Sequence, residues 1–156
     1  MAAWVVRVIA FDKSAARNWG LSWHQDRAIA VKERVDTPGF RNWTVKHGVS
    51  HVEAPQHILD RIVTLRLHLD DCGADNGPLE VAFGSHRCGV MTKSEIAARL
   101  PEMDCGPCLA AAGDVLAMRG LTVHRSGPAR EPSHRRVLHV DYTDAELPAG
   151  LEWRAI

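Results

Sequence analysis

No surplus of positive or negative charge is present in this chain of 156 residues, because 19 Lys and Arg balance 19 Asp and Glu. Proteins that bind nucleic acid or anionic membranes through general electrostatics carry a basic surplus, usually gathered on one face. The balanced composition therefore predicts neither a nucleic-acid partner nor a membrane partner.

No hydrophobic run is long enough to cross a bilayer, and no secretion signal is recognisable. The first segment, MAAWVVRVIAFDK, is apolar but short, and Arg7 interrupts it with no basic stretch before it. Without an export signal, the four cysteines are expected to be cytosolic thiols rather than a disulfide framework. The sequence predicts a cytoplasmic protein.

One cysteine pair has the spacing of a thioredoxin-like redox motif, since CGPC contains Cys105 and Cys108. That chemistry needs the first thiol at a helix N-terminus, where its pKa is lowered. The following LAAAGDV leaves room for hardly one helical turn before a Gly-Asp turn. We interpret the pair as coincidental or structural, and we expect Cys72 and Cys88 to be small buried thiols.

Internal repeats and linkers are missing, which favours one domain over residues 1–156. Short apolar segments recur at regular spacing between turn signals such as DTPGFRN and CGADNG. Two short helices are predicted, at residues 55–61 and in TKSEIAARL, where Thr92 and Glu95 have capping-box spacing. The pattern predicts a mainly β fold, a sandwich or jelly roll. Strands are expected at residues 5–11 and 23–31, in IVTLRLHLDD with PLEVAF as its partner, on both sides of the Gly-Asp turn of LAAAGDVLAM, and in RRVLHVDY.

Two predicted strands have one mixed face and one more apolar face. In IVTLRLHLDD, Thr64, Arg66 and His68 alternate with leucines. In RRVLHVDY, every second residue from Arg135 to Asp141 belongs to a series of mixed polar and apolar side chains, and the residues between them form a more apolar series. Simple patterning turns the apolar faces inward, whereas a barrel with a polar pocket turns the mixed faces inward. Periodicity alone leaves both arrangements open.

A potential metal site is found in LSWHQDRAI, where His24 and Asp26 are separated by one residue. Side chains at positions i and i+2 of a strand point to the same face, so these two could share an ion while Gln25 points away. A pattern as short as this more often indicates a hydrogen-bonded polar pair without a metal. The alternative interpretation is an iron site of two histidines and one carboxylate, with the last ligand on a facing strand. His124, just after a strand and before a turn-rich basic segment, is a candidate for that ligand.

Three segments in this order resemble the phytanoyl-CoA dioxygenase family: WHQD, then LDDCGADNGPLEVAFGSH, then AGDVLAMRGLTVHRSGPA followed by HRRVLHVDY. The similarity runs from about residue 11 to about residue 142. His-x-Asp alone is unspecific, but its combination with Asn-Gly-Pro-Leu, Gly-Ser-His and His-x-Ser-Gly-Pro is specific. Members of the family are iron(II)- and 2-oxoglutarate-dependent oxygenases built on a double-stranded β-helix, a cupin-like jelly roll.

The resemblance implies a role for each residue that matches the family motif. His24, Asp26 and His124 would hold Fe(II). Arg135, eleven residues after His124, would hold the distal carboxylate of 2-oxoglutarate, and Ser126 would help to hold it. Arginine suits this role because its planar fork of donors matches a carboxylate and stays charged.

Lys13 lies before the metal-ligand strand, where relatives often carry a lysine, so it is also expected to contact the cosubstrate.

With Fe(II), 2-oxoglutarate and O2, enzymes of this family hydroxylate unactivated C–H bonds and release succinate and CO2. Members that halogenate have a small residue in place of the carboxylate ligand. Because Asp26 is present, the resemblance implies hydroxylation or a related oxidation.

The chain departs from the family pattern in three places. Phe83 replaces the proline of the usual Pro-Gly-Ser-His, and Ala129 stands where many members have asparagine. Only about twenty residues precede the metal-ligand strand, where members carry a long helical region that covers the outer sheet. We therefore expect a reduced N-terminal region, with a homodimer as one way to cover the exposed sheet.

Substrate contacts are predicted on two segments. If Arg66 and His68 line the interior, the pocket beside the iron is cationic and suits a small anionic substrate. Pairing of Arg66 with an acid such as Asp141 is an equal alternative. The segment RVDTPGFRNWTVKHG is a candidate lid, with Trp43 as a substrate contact, or else an ordinary surface loop.

Two other functions are compatible with a jelly roll. A cupin-like isomerase or hydrolase would bind a metal without 2-oxoglutarate, and a non-catalytic binding module would need neither. Neither function requires the combined spacing of His124, Ser126 and Arg135, so this spacing favours the oxygenase.

Overall fold

A computed structural model of the chain describes residues 2–148 and 150–156. The fold is mainly β, as predicted, with eleven strands and two short α-helices among the described residues. Two 3-10 helices, Ser85–Cys88 and Leu100–Glu102, flank the longer α-helix. In chain order the elements are β1 Trp4–Lys13, β2 Leu21–His24, β3 Ala28–Val31, β4 Arg41–Lys46, β5 Val49–Glu53, α1 Gln56–Leu59, β6 Val63–His68, β7 Leu79–Ala82, α2 Lys93–Arg99, β8 Cys105–Cys108, β9 Val115–Arg119, β10 His124–Ser126 and β11 Arg135–Thr143.

The strands form three antiparallel sheets. Sheet I has the order β1-β11-β6-β9, sheet II has the order β2-β10-β7-β8, and sheet III has the order β3-β5-β4. Side chains of sheets I and II meet in an interior, as where Lys13 of β1 donates to Ser126 of β10. This is the double-stranded β-helix that the sequence resemblance implied.

The predicted pairing of IVTLRLHLDD with PLEVAF is wrong. These segments form β6 and β7, but β6 pairs with β9 and β11 in sheet I, whereas β7 pairs with β8 and β10 in sheet II. The turn signal between them is real, since Gly77 has a φ of 59°. Instead of closing a hairpin, the segment carries the chain from one sheet to the other.

The single strand predicted at residues 23–31 is interrupted. β2 ends at His24 and belongs to sheet II, while β3 begins at Ala28 and belongs to sheet III. Gln25, expected to point away, is buried and fixes the break. Its amide group donates to the carbonyls of Gly89 (2.9 Å) and Leu121 (2.8 Å) and accepts from the N–H of Met91 (2.9 Å).

The segment LAAAGDVLAM also differs from expectation. Only its second half is a strand, β9, while residues 109–114 form a loop in which Ala110 makes one bridge to Cys72. The strand that precedes this loop is β8, which consists of the CGPC sequence. Cys105 is therefore not at a helix N-terminus, and burial raises the pKa values of both Cys105 and Cys108. A structural role for this pair fits both facts.

Of the other two cysteines, Cys72 is buried as expected, but Cys88 is exposed, contrary to expectation.

The mixed faces of β6 and β11 point inward. Arg66 and His68 are 5% and 1% exposed, and Arg135 is fully buried, whereas Arg136 is exposed and pairs with Asp70. The interior between sheets I and II is therefore polar. Its apolar part includes a small cluster, Leu79, Val81 and Met118.

The main apolar core lies outside this polar interior, where sheet III packs on α1. Trp153 packs back on this core as expected, and its indole N–H donates to the carbonyl of Ala145. The predicted capping box of α2 is present at Thr92 and Glu95. The buried members of the main core are Ile29, Val31, Phe40, Val52, Ala54, Ile58, Leu59, Ile62, Leu121, Ala145 and Leu151.

None of the helices in the described part of the chain has the length and apolar character needed to cross a membrane.

Candidate metal and cosubstrate site

The three predicted metal ligands come together at one end of sheet II. His24 is the last residue of β2, His124 is the first residue of β10, and the two are directly paired across the strands. Asp26 follows β2 in the break before β3. One ligand atom from each residue lies within 4.8 Å of the others, and the two imidazole rings are 4.3 Å apart. Two imidazoles and one carboxylate at this spacing form a three-sided site that leaves other positions of an ion open.

Backbone carbonyls fix the tautomers of both histidines. Nδ1 of His24 lies 2.7 Å from the carbonyl of Ser22, and Nδ1 of His124 lies 2.9 Å from the carbonyl of Thr122. Because a carbonyl only accepts, each Nδ1 carries a proton, so the neutral form of either ring has its lone pair on Nε2. Such an outer hydrogen bond typically orients a metal-binding histidine.

The charge states of Asp26 and His124 also suit a cation. Burial is the largest influence on Asp26 and raises its pKa, but Arg7 and the neighbouring histidines outweigh burial and lower the pKa to about 2. Burial lowers the pKa of His124 to about 4. At neutral pH the site offers an ionised carboxylate and a neutral imidazole, the forms that bind metal.

Two buried cations lie near the metal-ligand triad. Lys13 and Arg135 are directly paired on neighbouring strands β1 and β11, and both are fully buried. The ammonium of Lys13 donates to Oγ of Ser126 at 3.1 Å and to the carbonyl of Gly127. Arg135 donates to the carbonyl of Gly77, which also accepts from Ser126. The structure thus brings together the three residues predicted to contact the cosubstrate.

This cation pair has spare donors and no acid. Nε and one terminal nitrogen of Arg135 have no hydrogen-bond partner, and no carboxylate among the described residues forms an ion pair with Lys13 or Arg135. Burial and the nearby Arg135 lower the pKa of Lys13 to about 8. Buried charges are normally paired, so the arrangement fits an anion such as the distal carboxylate of 2-oxoglutarate.

Backbone geometry keeps the space beside the cations open. A Cβ atom on Gly77 would lie 2.7 Å from the carbonyl of Gly127 and 3.0 Å from the ammonium of Lys13. The indole of Trp19 covers the cations, with its ring centre 4.5 Å from Nζ of Lys13. Neither residue was singled out from the sequence. Gly77 was visible only as part of a turn signal and of the Asn-Gly-Pro-Leu motif, and nothing in the pattern marked Trp19.

The alternative pairing of Arg66 with Asp141 does not occur. The guanidinium of Arg66 donates to Nδ1 of His139 at 2.9 Å and stacks over Phe11. Its Nε has no partner, and neither ring nitrogen of the buried His68 has one. Burial, with the charges of nearby arginines, lowers the pKa of His68 and keeps it neutral. These unpaired groups line the same interior as the triad.

Trp43 lies apart from the other predicted site residues. It is on β4, packs against the main apolar core and has the guanidinium of Arg34 5.6 Å from its ring centre. The candidate lid is therefore a loop followed by the β4–β5 hairpin. A groove of about 1150 Å³ between β1 and sheet III reaches Asp26 and is lined by Lys46 and His51. Trp43 does not line this groove.

A second polar cluster lies on the other side of Asp26. Arg7 donates to Asp26 at 3.0 Å and also to Asp141, which further accepts from Thr64 and lies 3.0 Å from Nε2 of His139. The sequence offered one signal for this cluster, the charge of Arg7 inside an apolar strand. Its partners could not be read from any local pattern.

The chain belongs to the phytanoyl-CoA dioxygenase (PhyH) family, whose pattern matches residues 2–137. A comparison with curated protein sequences gives no match.

Several solved proteins have the same fold and are longer than this chain. AviO1 from Streptomyces viridochromogenes Tue57 is 26% identical over 94% of this chain and 53% of its own, with a TM-score of 0.64. EctD from S. alaskensis with bound Fe is 17% identical over 90% and 44%, with a TM-score of 0.64. The non-heme alpha ketoglutarate dependent carbocyclase SnoK from nogalamycin biosynthesis is 17% identical over 96% and 51%, with a TM-score of 0.62. This chain spans about half the length of these proteins and shares their fold.

Proposed function

We propose that the chain is the catalytic domain of an Fe(II)- and 2-oxoglutarate-dependent dioxygenase that hydroxylates a C–H bond of a small molecule. The observation that carries the proposal is the pair of buried, acid-free cations, Lys13 and Arg135, in the same interior as a His-Asp-His triad. When bound, the metal and cosubstrate supply O2 activation, with release of succinate and CO2.

The chain's own residues would bind and orient these groups. His24 and His124 present Nε2 lone pairs, and Asp26 presents a carboxylate with a pKa of about 2. Arg135 provides free donors for a distal carboxylate and Lys13 provides one more, while Ser126 accepts from Lys13 and donates to the carbonyl of Gly77. The polar interior buries His124, Ser126, Lys13 and Arg135, whereas His24 and Asp26 are partly exposed at its edge.

The proposed substrate is a small anion that enters by the groove between β1 and sheet III. The groove reaches Asp26, and Lys46, Lys93 and Arg154 line it. Deeper in the interior, the unpaired Nε of Arg66 and the ring of His68 offer polar contacts. Because Trp43 packs into the core, we expect it to affect the substrate only through the hairpin that carries it.

Anaerobic titration tests this function. Fe(II) with 2-oxoglutarate should give a visible metal-to-ligand charge-transfer band in the native protein. His124→Ala should abolish the band by removing a metal ligand, and Arg135→Gln should shift the 2-oxoglutarate titration to higher concentrations. Arg61→Gln is a control for the same change of residue type outside the interior, because Arg61 lies on the surface and pairs with Asp144. A native protein that gives no band would refute the proposal.

The same titration separates the two alternative functions. A cupin-like isomerase or hydrolase would bind metal, but Arg135→Gln would change nothing. A non-catalytic module would bind neither metal nor 2-oxoglutarate. The two unpartnered nitrogens of Arg135 favour the oxygenase over both, because they match the distal carboxylate of 2-oxoglutarate, which neither alternative requires.

The assembly and location of the domain are also proposals. We infer a single domain over residues 1–156 that acts in the cytoplasm and pairs as a homodimer through the outer face of sheet I. On that face Val8, Leu69 and Val115 are 44%, 50% and 55% exposed. Analytical ultracentrifugation of native protein and of Val115→Lys would test the dimer, since a monomeric native protein would refute it.

A further inference from the structure

Asp26 lies in the break between β2 and β3, and the orientation of its carboxylate depends on a hydrogen bond from another side chain. The residues on either side are held firmly. Gln25 makes three hydrogen bonds, and the backbone carbonyl of Arg27 accepts from Ala54 while its side chain pairs with Glu53 at 3.1 Å. These bonds fix the backbone on both sides of Asp26 and leave its carboxylate free to rotate about its side-chain bonds.

One cation limits that rotation. The terminal NH2 of Arg7 donates to Oδ2 of Asp26 at 3.0 Å, while Oδ1 is the oxygen on the side of His24, 3.7 Å from its Nε2. Arg7 therefore occupies one oxygen of the carboxylate and leaves the other facing the histidines. A carboxylate held this way can give an ion one oxygen rather than two.

Arg7 is itself held in place from the opposite side. Its Nε donates to Asp141, a fully paired acid that also accepts from Thr64 at 2.6 Å and contacts His139. Arg7 and Asp141 are direct partners across β1 and β11. The planar guanidinium thus spans two carboxylates, one from sheet I and one from the metal-ligand triad, as a fork of fixed donors can.

The strand β1 is shaped to aim Arg7 inward. Its pairing with β11 shifts by one residue between Val5 and Arg7, which leaves Val6 as an extra residue that is buried. A β-bulge of this kind re-aims the following side chains and is frequent beside functional sites. Here it aligns Arg7 with Asp141 and directs it towards the interior.

We propose that Arg7, anchored by Asp141, is a positioning residue that holds Asp26 so that a single oxygen faces the metal. This inference rests on the proposed function, since it concerns the geometry of that metal site. Loss of such an outer partner typically weakens metal binding 10- to 100-fold. Arg7 also lines the groove proposed for substrate entry, so its positioning role is tested by metal binding in the absence of substrate.

Titration with Co²⁺ in the absence of 2-oxoglutarate tests this role without any turnover. Arg7→Met should raise the Kd for Co²⁺ about tenfold or more and change the intensity of the visible Co²⁺ absorption, which reports the number of ligand atoms. Arg61→Met, which breaks a two-bond surface pair with Asp144, should change neither. An unchanged Kd and an unchanged spectrum in Arg7→Met would overturn the inference.

A double-mutant cycle separates positioning from a general loss of stability. Asp141→Asn should weaken Co²⁺ binding in the native background, because Arg7 loses its charged anchor, but add nothing in the Arg7→Met background. Additive effects would mean that the two residues act independently and would overturn the role of Asp141 as an anchor. If the native protein itself binds no Co²⁺, it is the proposed function that fails.

Discussion

The two polar ends of the interior are built in opposite ways. Around Asp26 every charge has a partner, since Arg7 lies between Asp26 and Asp141. Around Arg135 the charges are both positive, and two guanidinium nitrogens have no partner. In a paired cluster each charge offsets the desolvation cost of its partner, whereas an unpaired cluster is costly until an anion arrives. The first end is suited to hold a ligand still, and the second is suited to bind an anion.

The largest expected effect concerns stability at the paired end. Asp141→Ala leaves the guanidinium of Arg7 with only one acid and removes the acceptor for Thr64 and His139. Removing one member of a buried pair costs roughly 3–5 kcal/mol. We expect a loss of that size in the free energy of unfolding of the metal-free protein, measured by urea denaturation. A loss below about 1 kcal/mol would show that this cluster does not stabilise the fold.

The unpaired end should respond in the reverse manner. Arg135→Met removes a buried cation that has no acid, so the metal-free protein should be as stable as the native protein or more stable. Affinity for 2-oxoglutarate should fall at least 100-fold, about 3 kcal/mol, because a charged partner is lost. Urea denaturation and an Fe(II)-dependent titration measure the two quantities. A large loss of stability would contradict the difference between the two ends.

This contrast was only partly predictable from the sequence. The resemblance to the phytanoyl-CoA dioxygenase family was enough to single out His24, Asp26, His124, Ser126 and Arg135, because each matches a short motif of the family. It was not enough for the Arg7–Asp141 pair, whose members are 134 positions apart and meet through a strand register and a bulge. No local pattern encodes a register between the first and the last strand of a sheet.

The break after His24 was missed for a related reason. Periodicity treated residues 23–31 as one strand, because alternation of apolar and polar side chains continues through it. The break is fixed by hydrogen bonds from Gln25 to Gly89, Met91 and Leu121, which lie in distant loops. The prediction that His24 and Asp26 share a side of the chain was useful, although the strand geometry behind it was wrong.

The titration of Lys13 should have a smaller effect, which is opposite in sign for the stability of the metal-free protein and for its affinity for 2-oxoglutarate. Burial and Arg135 lower its pKa in the folded protein to about 8, whereas an unfolded lysine keeps a value near 10.4. Between these values the unfolded chain binds more protons, so stability rises with pH. From pH 8 to pH 9 the metal-free protein should gain about 1 kcal/mol.

The same proton has the opposite consequence for the cosubstrate. A bound carboxylate needs the charged ammonium, so affinity for 2-oxoglutarate should fall as pH rises above about 8. Lys13→Met should remove both trends, flattening stability and affinity between pH 8 and pH 9. Urea denaturation and anaerobic titration across this range measure them. Native curves that match those of Lys13→Met would show that Lys13 does not titrate there.

The smallest expected effect is that of Ser126. Its hydroxyl accepts from Lys13 and donates to the carbonyl of Gly77, so it holds the frame of the unpaired end without adding charge. Ser126→Ala removes the neutral hydroxyl that holds the ammonium of Lys13, a loss of about 1 kcal/mol or roughly fivefold in affinity for 2-oxoglutarate. Co²⁺ affinity should stay unchanged, because His124 keeps its bond to Thr122. A drop in Co²⁺ affinity equal to the drop in 2-oxoglutarate affinity would mean that the two ends are not separable, since a neutral change at one would then have disturbed the metal ligands at the other.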